Sequence, residues 1–388
     1  MELIKYGKFL PPALVLSALA LFFGAAIFFN PPAHAQKLKQ LPPPPPGPRF
    51  KPKPTPTPAP TPEPEYEVIR VSSNLVVVPV SVTDPQGQPV LGLKQTDFHI
   101  EEDGHAQEIS QLGDPEQVPL DIALLIDVSS SVSERFAFEE QAATRFLKQV
   151  LRPTDHATVY AIDRTPRLEQ PRSTADIATA RLMSIRAATG PSPTAFYDTV
   201  IEAARYLGQN TPEQNRRVIV VISDGEDNFS NRVRDSSLAA YRAMQADEND
   251  SSAAGKKRMR TASENALLAG HRKAQAEVQQ EVQKANAVFY SINPSGEALK
   301  LNVISTRAQN AMQELAGSTG GTAFVPERLA DLEAVFSRIL NELRAQYLVQ
   351  YYSNNKSSGQ SFRTIAITIP AQTRLRVRAR EGYYPKAK

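Results

Sequence analysis

Asp121-Ile122-Ala123-Leu124-Leu125-Ile126-Asp127-Val128-Ser129-Ser130-Ser131 is the stretch on which the reading turns. Its apolar run is too short for a helix that must bury itself and carries no 3.6-residue stripe, so it reads as a strand covered on both faces. It ends in an Asp-x-Ser-x-Ser pattern immediately before a helical period over Phe136–Leu151. Further strands of the same kind are expected at Ala157–Ile162, Val218–Ile222, Ala287–Ile292 and Thr322–Val325, with helical patterns between them. Buried strands alternating with helices predict a doubly wound, mostly parallel α/β sheet. Its last helix is read from Leu329, Leu332, Val335, Phe336, Ile339, Leu340 and Leu343, spaced as a core-facing stripe.

Outward from this domain the chain turns β-rich on both sides. Before it, Val68–Val71, Leu75–Val82 and Phe98–Glu102 are short strand patterns separated by turn chemistry at Asp84-Pro85-Gln86-Gly87 and Asp103-Gly104. After it come Tyr347–Tyr352, Phe362–Ile369 and Leu375–Arg380. Val76, Val78, Val80 and Val82 alternate with Leu75, Val77, Pro79 and Ser81, leaving more apolar surface than a hairpin can cover. Residues 66–115 and 347–388 are therefore expected to form one small β-sandwich, with the α/β domain of residues 116–346 inserted in it or flanked by it. Within that domain about 230–285 reads as a helical insertion, interrupted by a loop at Asp247–Arg260, where turn and charge composition shows no apolar period.

The N-terminal portion has a different character. Lys5 and Lys8 precede an apolar run from Ala13 to Phe29, and Ala33-His34-Ala35 offers a small-residue cleavage pattern, so residues 1–35 are expected to be a signal peptide or a membrane anchor. Of 32 prolines, 15 fall between Pro31 and Pro64, which makes residues 36–65 a proline-rich linker. In polyproline II form it would extend roughly 90 Å at about 3.1 Å per residue. The folded part is expected to be exported, periplasmic or extracellular, either released or tethered through residues 13–29.

Composition narrows the chemistry. The 388 residues contain no cysteine and five histidines, which excludes disulfides, thiolate metal sites and cysteine nucleophiles. A net charge of +3 is too balanced to indicate nucleic acid as a partner. The oxygen donors at predicted strand ends and loops stand out. Asp127, Ser129 and Ser131 follow the first α/β strand, Thr194 opens a helix within Gly190-Pro191-Ser192-Pro193-Thr194, and Asp224 ends another buried strand in Ile222-Ser223-Asp224-Gly225. In doubly wound sheets these strand ends form the ligand crevice. Two carboxylates and three hydroxyls suit a hard divalent cation, Mg²⁺ first, with Mn²⁺ or Ca²⁺ as substitutes.

These three elements resemble the von Willebrand factor type A domain and its metal-ion-dependent adhesion site. The flanks Phe98-His99-Ile100-Glu101-Glu102-Asp103-Gly104 and Glu381-Gly382-Tyr383-Tyr384-Pro385 resemble the exported bacterial VWFA-related proteins. The resemblance implies that Ser129, Ser131 and Thr194 are direct metal ligands and that Asp127 and Asp224 act largely through bound water. It also implies a protein-binding module in which a partner's acidic side chain completes the metal's coordination. The charged segment after Asp227 departs from the family pattern, where a single short helix stands.

Several other readings are weaker. Asp198, Glu226 and Asp227 could support the metal, but they are read first as helix-start and turn residues. Asp250–Lys257 lacks the first glycine and the closing hydroxyl of a phosphate loop, and Gly317–Gly321 is read as a helix stop. The cluster Lys256-Lys257-Arg258-Met259-Arg260 is read as a solvated face. An enzymatic alternative is a magnesium-dependent phosphohydrolase of haloacid-dehalogenase-like type, with Asp127 as nucleophile. That chemistry wants an acid two residues later as proton donor, and Ser129 stands there. Binding, not catalysis, is the expectation.

Export makes a direct prediction. Protein recovered from outside the cytoplasm should begin at Gln36 if the signal is cut, or retain Met1 and need detergent if it anchors, as N-terminal sequencing will show. Full-length chain soluble in the cytosol would contradict both forms.

Overall fold

The central strand extends from Leu120 to Asp127 and is buried along its whole length. The computed structural model describes residues 75–129, 135–190, 192–245, 252–295, 303–355, 357 and 359–385. The expected signal or anchor, the proline-rich linker and the strand pattern Val68–Val71 lie outside the described residues.

Four strands come first: β1 (Leu75–Thr83), β2 (His99–Glu102), β3 (His105–Gln107) and β4 (Ile109–Gly113). The α/β part follows as β5 (Leu120–Asp127), α1 (Phe136–Val150), β6 (His156–Ile162), β7 (Arg167–Ser173), α2 (Ala175–Leu182), α3 (Phe196–Asn210) and β8 (Arg216–Ile222). It continues through α4 (Asn231–Gln245), α5 (Ala253–Lys284), β9 (Ala287–Ile292), α6 (Val303–Thr319), β10 (Ala323–Phe324) and α7 (Leu332–Ala345). The chain closes with β11 (Tyr347–Tyr352), β12 (Arg363–Thr368), β13 (Arg376–Arg378) and β14 (Gly382–Tyr383).

The large sheet has the order β10-β9-β8-β5-β6-β7, parallel throughout except for the edge strand β7. Because β5 lies inside it, alternate side chains enter two separate cores. Ile122, Leu124 and Ile126 pack with Phe146 and Leu147 of α1 and with Phe336 and Ile339 of α7. Ala123 and Leu125 pack with Val200 and Leu207 of α3, Val278 of α5 and Met312 of α6. Each fully buried Leu, Ile or Val contributes about 1.5–3 kcal/mol relative to exposure, which explains why the strand shows no polar alternation. The fold is therefore the doubly wound α/β type expected from the sequence.

The β segments before and after this domain share two antiparallel sheets, ordered β13-β1-β11-β4 and β14-β12-β2-β3. β11 lies between β1 and β4, with Val349 opposite Val78 and Gln350 opposite Gln111, while β12 pairs with β2 at Ile367 and Ile100. Val76, Val78, Val80, Val82, Ile100, Val349, Tyr351, Ile365 and Ile369 fill the space between them. The opposite face of β1 differs from residue to residue. Leu75 and Val77 are exposed, whereas Ser81 is buried and donates to Glu342 Oε1 of α7 at 3.1 Å. Glu342 also accepts from Tyr290 Oη of β9 at 2.8 Å and pairs with Arg378 of β13 at 2.6 Å, joining the sandwich to the α/β domain.

The loop expected across Asp247–Arg260 is corrected in part. Residues 246–251 are outside the described residues, but α5 begins at Ala253 and runs unbroken to Lys284. Ser252 caps it, its hydroxyl accepting from Gly255 N at 3.0 Å. Lys256–Arg260 shows no apolar period because that stretch is largely exposed, while its Lys and Arg residues remain good helix formers, and Arg260 pairs with Glu264 one turn on. Farther along, α5 meets α4 where a Cβ at Gly270 would lie 2.1 Å from Ser236 Cβ, a contact only glycine permits.

Removal of everything after Gln346 takes away β11, the strand between β1 and β4. Amide exchange in Leu75–Thr83 and Ile109–Gly113 should then accelerate strongly. Unchanged protection there would contradict a shared sandwich.

Candidate metal centre

Parallel pairing of β5 and β8 brings their C-terminal ends to one edge of the sheet, so Asp127 and the Ser223-Asp224-Gly225 turn face the same crevice. Asp127 is only 1% exposed. Its Oδ1 accepts from Ser129 N at 2.9 Å and its Oδ2 from Ser223 Oγ at 2.8 Å, with the Ser129 hydroxyl as a further partner. Ser223 Oγ in turn accepts from Gly225 N at 3.0 Å. The β8 turn reverses through Gly225 at φ +75, and a side chain there would also strike Met312 of α6. Asp224 Oδ1 accepts from Glu226 N at 3.0 Å, and Glu226 Oε1 accepts from Ser305 Oγ of α6 at 2.5 Å.

Thr194 is buried in the loop before α3 and tied to the same turn. Its N–H donates to Asn228 Oδ1 at 2.8 Å, and its carbonyl accepts from Asn228 N and Phe229 N at 3.1 Å each. Asp227 accepts from Tyr197 N at 2.8 Å and Ser230 N at 3.0 Å, which fixes the start of α3 to the β8 loop. Asp198 accepts from Asn231 N at 3.0 Å. Asp198 and Asp227 thus hold helix starts and a turn together, and Glu226 ties the turn to α6. Ser131, like Ser130, lies outside the described residues. The structure brings Asp127, Ser129, Thr194 and Asp224 onto three loops joined by hydrogen bonds.

One acidic residue of this region was not singled out from the sequence. Glu139 in the first turn of α1 is 0% exposed, and neither carboxyl oxygen has a hydrogen-bond partner among the described residues; Arg135 Nε is 3.8 Å from Oε1. Its signal was an acid on the helix stripe shared with Phe136, Ala143 and Phe146, where a charge is rare unless something compensates it. Burial pushes the Glu139 carboxyl up to about 8, with Arg135 opposing and the charges of Asp127 and Asp224 adding to the rise. Burial likewise pushes Asp224 up to about 6, the hydrogen bond from Glu226 N opposing, and raises Asp127 against its serine hydrogen bonds. Among the described residues no three His, Cys, Asp or Glu side chains lie together as a complete ligand set. Any cation here must draw on hydroxyls and water beside the carboxylates, the donor mixture that suits a hard divalent ion. The carboxyls raised by burial fit such an ion, because added positive charge would remove the penalty that raises them.

Residues 122–226 match the family model of the von Willebrand factor type A domain. No curated protein matches the sequence. Solved structures that resemble the chain include an aerotolerance-related membrane protein from Bacteroides fragilis NCTC 9343, at 16% identity over 58% of this chain and 98% of that one, TM-score 0.35. The vWF domain of the type V pili tip protein Mfa5 from Porphyromonas gingivalis aligns at 14% identity over 57% and 94%, TM-score 0.39. Proximal thread matrix protein 1 from the mussel byssus, solved with a zinc-occupied MIDAS motif, aligns at 13% identity over 61% of this chain but 48% of its own length, TM-score 0.38. The segment from β5 to the turn after β8 thus carries the match to the von Willebrand factor type A domain, and it lies within a doubly wound α/β sheet.

Proposed function

We propose that this chain is an exported, metal-dependent protein-binding module whose divalent-cation site is formed at the strand ends by Asp127, Ser129, Ser131, Thr194 and Asp224. The observation that carries the reading is the pair of carboxyls at the ends of adjacent parallel strands, Asp127 buried and Asp224 half-buried. Ser129, Ser131 and Thr194 would hold the cation directly, and Asp127 and Asp224 through bound water; when bound, it supplies an open coordination position for a partner's carboxylate. Mg²⁺ is the first candidate, with Mn²⁺ and Ca²⁺ as alternatives. An acidic group on the partner is attracted only when the cation has reversed the sign of the local charge.

Phosphohydrolase chemistry is disfavoured by the state of Asp127. A nucleophile needs an oxygen that a substrate can approach, and this carboxyl is only 1% exposed. Ser129 offers no acid at the position where that chemistry wants a proton donor.

Calorimetric titration with Mg²⁺ and Mn²⁺ should give binding in the wild type and a loss of about a hundredfold or more in Asp224→Ala and Asp127→Asn. The asparagine keeps the shape of Asp127 and an acceptor for Ser129 N. Unchanged binding in both variants would remove the assignment. Partners captured by the chain in Mg²⁺ should elute with chelator and with a soluble acidic peptide; partners retained under both conditions would contradict binding through the metal.

The raised carboxyls also set a pH dependence for the metal-free protein. Asp224 and Glu139 rise from ordinary values of 3.8 and 4.5 to about 6 and about 8, so the folded state keeps protons that the unfolded chain releases. Their stability contribution is complete below the ordinary values and is lost as pH rises toward about 8. Melting in chelator should therefore drop by a few degrees between about pH 5 and 8, and the drop should shrink in Glu139→Gln. A melting temperature that climbs with pH, or that ignores Glu139→Gln, would show that these acids carry no such penalty.

A further inference from the structure

Arg135 and Glu139 stand at the start of α1, the helix that follows the Asp127 strand end, and are not among the residues assigned to the cation. Glu139 is wholly buried, yet among the described residues its oxygens have no hydrogen-bond donor, and its ion pair with Arg135 is loose at 3.8 Å. A buried carboxylate of this kind is normally either firmly paired or absent. Arg135 is drawn elsewhere as well, with Nη2 donating to Ser295 Oγ at 3.2 Å and Nη1 to the Pro294 carbonyl at 3.5 Å. The same guanidinium attracts Asp127 and Asp224 as well as Glu139. One positive group thus faces three acids, with Glu226 beside Asp224 as a fourth, so when all are ionised negative charge stays uncompensated, as binding of a divalent cation requires.

We propose that Glu139 and Arg135 form an opposed charge pair that sets the divalent-cation affinity of the Asp127–Asp224 site, the carboxylate raising it and the guanidinium lowering it. The inference rests on the cation-site reading above and adds two residues to it that touch neither metal nor partner. Glu139 acts through its charge at a distance, since it forms no compact carboxylate ligand set with the two aspartates. Arg135 supplies part of the positive charge that these acids require, so a cation entering the site works against its repulsion. Because Arg135 also holds Pro294 and Ser295 just after β9, that connection feels the same competition.

The test is calorimetric titration of the folded chain with Mg²⁺ and with Mn²⁺, at a pH above the value of about 8 to which burial raises Glu139, with folding of each variant checked by circular dichroism. Glu139→Gln should weaken binding by roughly ten- to a hundredfold, in the range found when groups outside the direct ligands are removed. Arg135→Gln should tighten it by a comparable factor, and the double variant should return near wild type, as opposed terms in a mutant cycle require. A merely structural role would weaken binding in both single variants. Two weakened single variants, or two within twofold of wild type, would overturn the proposal. If either single variant fails to fold, the double variant and Arg135→Lys decide: both near wild type supports the pair, and departure of either overturns it. Asp224→Ala separates the two levels. Loss of binding there with Glu139→Gln silent overturns the charge pair alone, whereas a wild type that binds neither ion overturns the cation-site reading and the pair with it.

Discussion

Removal of the Asp127 carboxyl from water is the constraint around which this domain is organised. A carboxylate so nearly inaccessible must be hydrogen-bonded, protonated or matched by positive charge. Its two oxygens recruit Ser129 from its own loop and Ser223 from the neighbouring strand end. Ser223 in turn orders the Gly225 turn that presents Asp224, and Thr194 is fastened to the same loop through Asn228. Loops that would otherwise be independent are thereby drawn to one place. What those hydrogen bonds leave uncompensated is negative charge, which the proposed divalent cation would balance.

The parallel sheet makes this concentration of charge affordable. Ile122, Leu124 and Ile126 on one side and Ala123 and Leu125 on the other are sealed by helices, so the strand ends are held by two cores at once. α7 carries part of one core and also presents Glu342 to Ser81, Tyr290 and Arg378. The domain therefore meets the β-sandwich through buried polar contacts and through the chain itself, since β11 begins two residues after α7 ends.

The sequence was most legible where one physical demand dominates. Near-continuous apolar strands such as Asp121–Ile126 identify a sheet covered on both faces, and the stripe from Leu332 to Leu343 identifies the helix that covers it. The edge strand Arg167–Ser173 was missed because its composition, Arg-Leu-Glu-Gln-Pro-Arg-Ser, is polar and contains proline, which an edge tolerates. The start of α5 was read as loop because exposed helices carry no apolar period, and Ser252 as a cap lay hidden in a run of turn-forming residues. At the site, Asp127, Ser129, Thr194 and Asp224 were legible because their spacing relative to the strands is distinctive. Glu139 was not, because one of two adjacent acids on a helix of mixed charge resembles a surface residue until neighbouring elements enclose it.

Crystals of the chain grown or soaked with Mn²⁺ would test the central claim most directly, since anomalous scattering locates the ion independently of any ligand assumption. The account predicts a peak at the strand ends, bonded to the hydroxyls of Ser129, Ser131 and Thr194, with Asp127 and Asp224 reaching it through water. Ordered crystals without a peak there, or with the ion held by other residues, would contradict it.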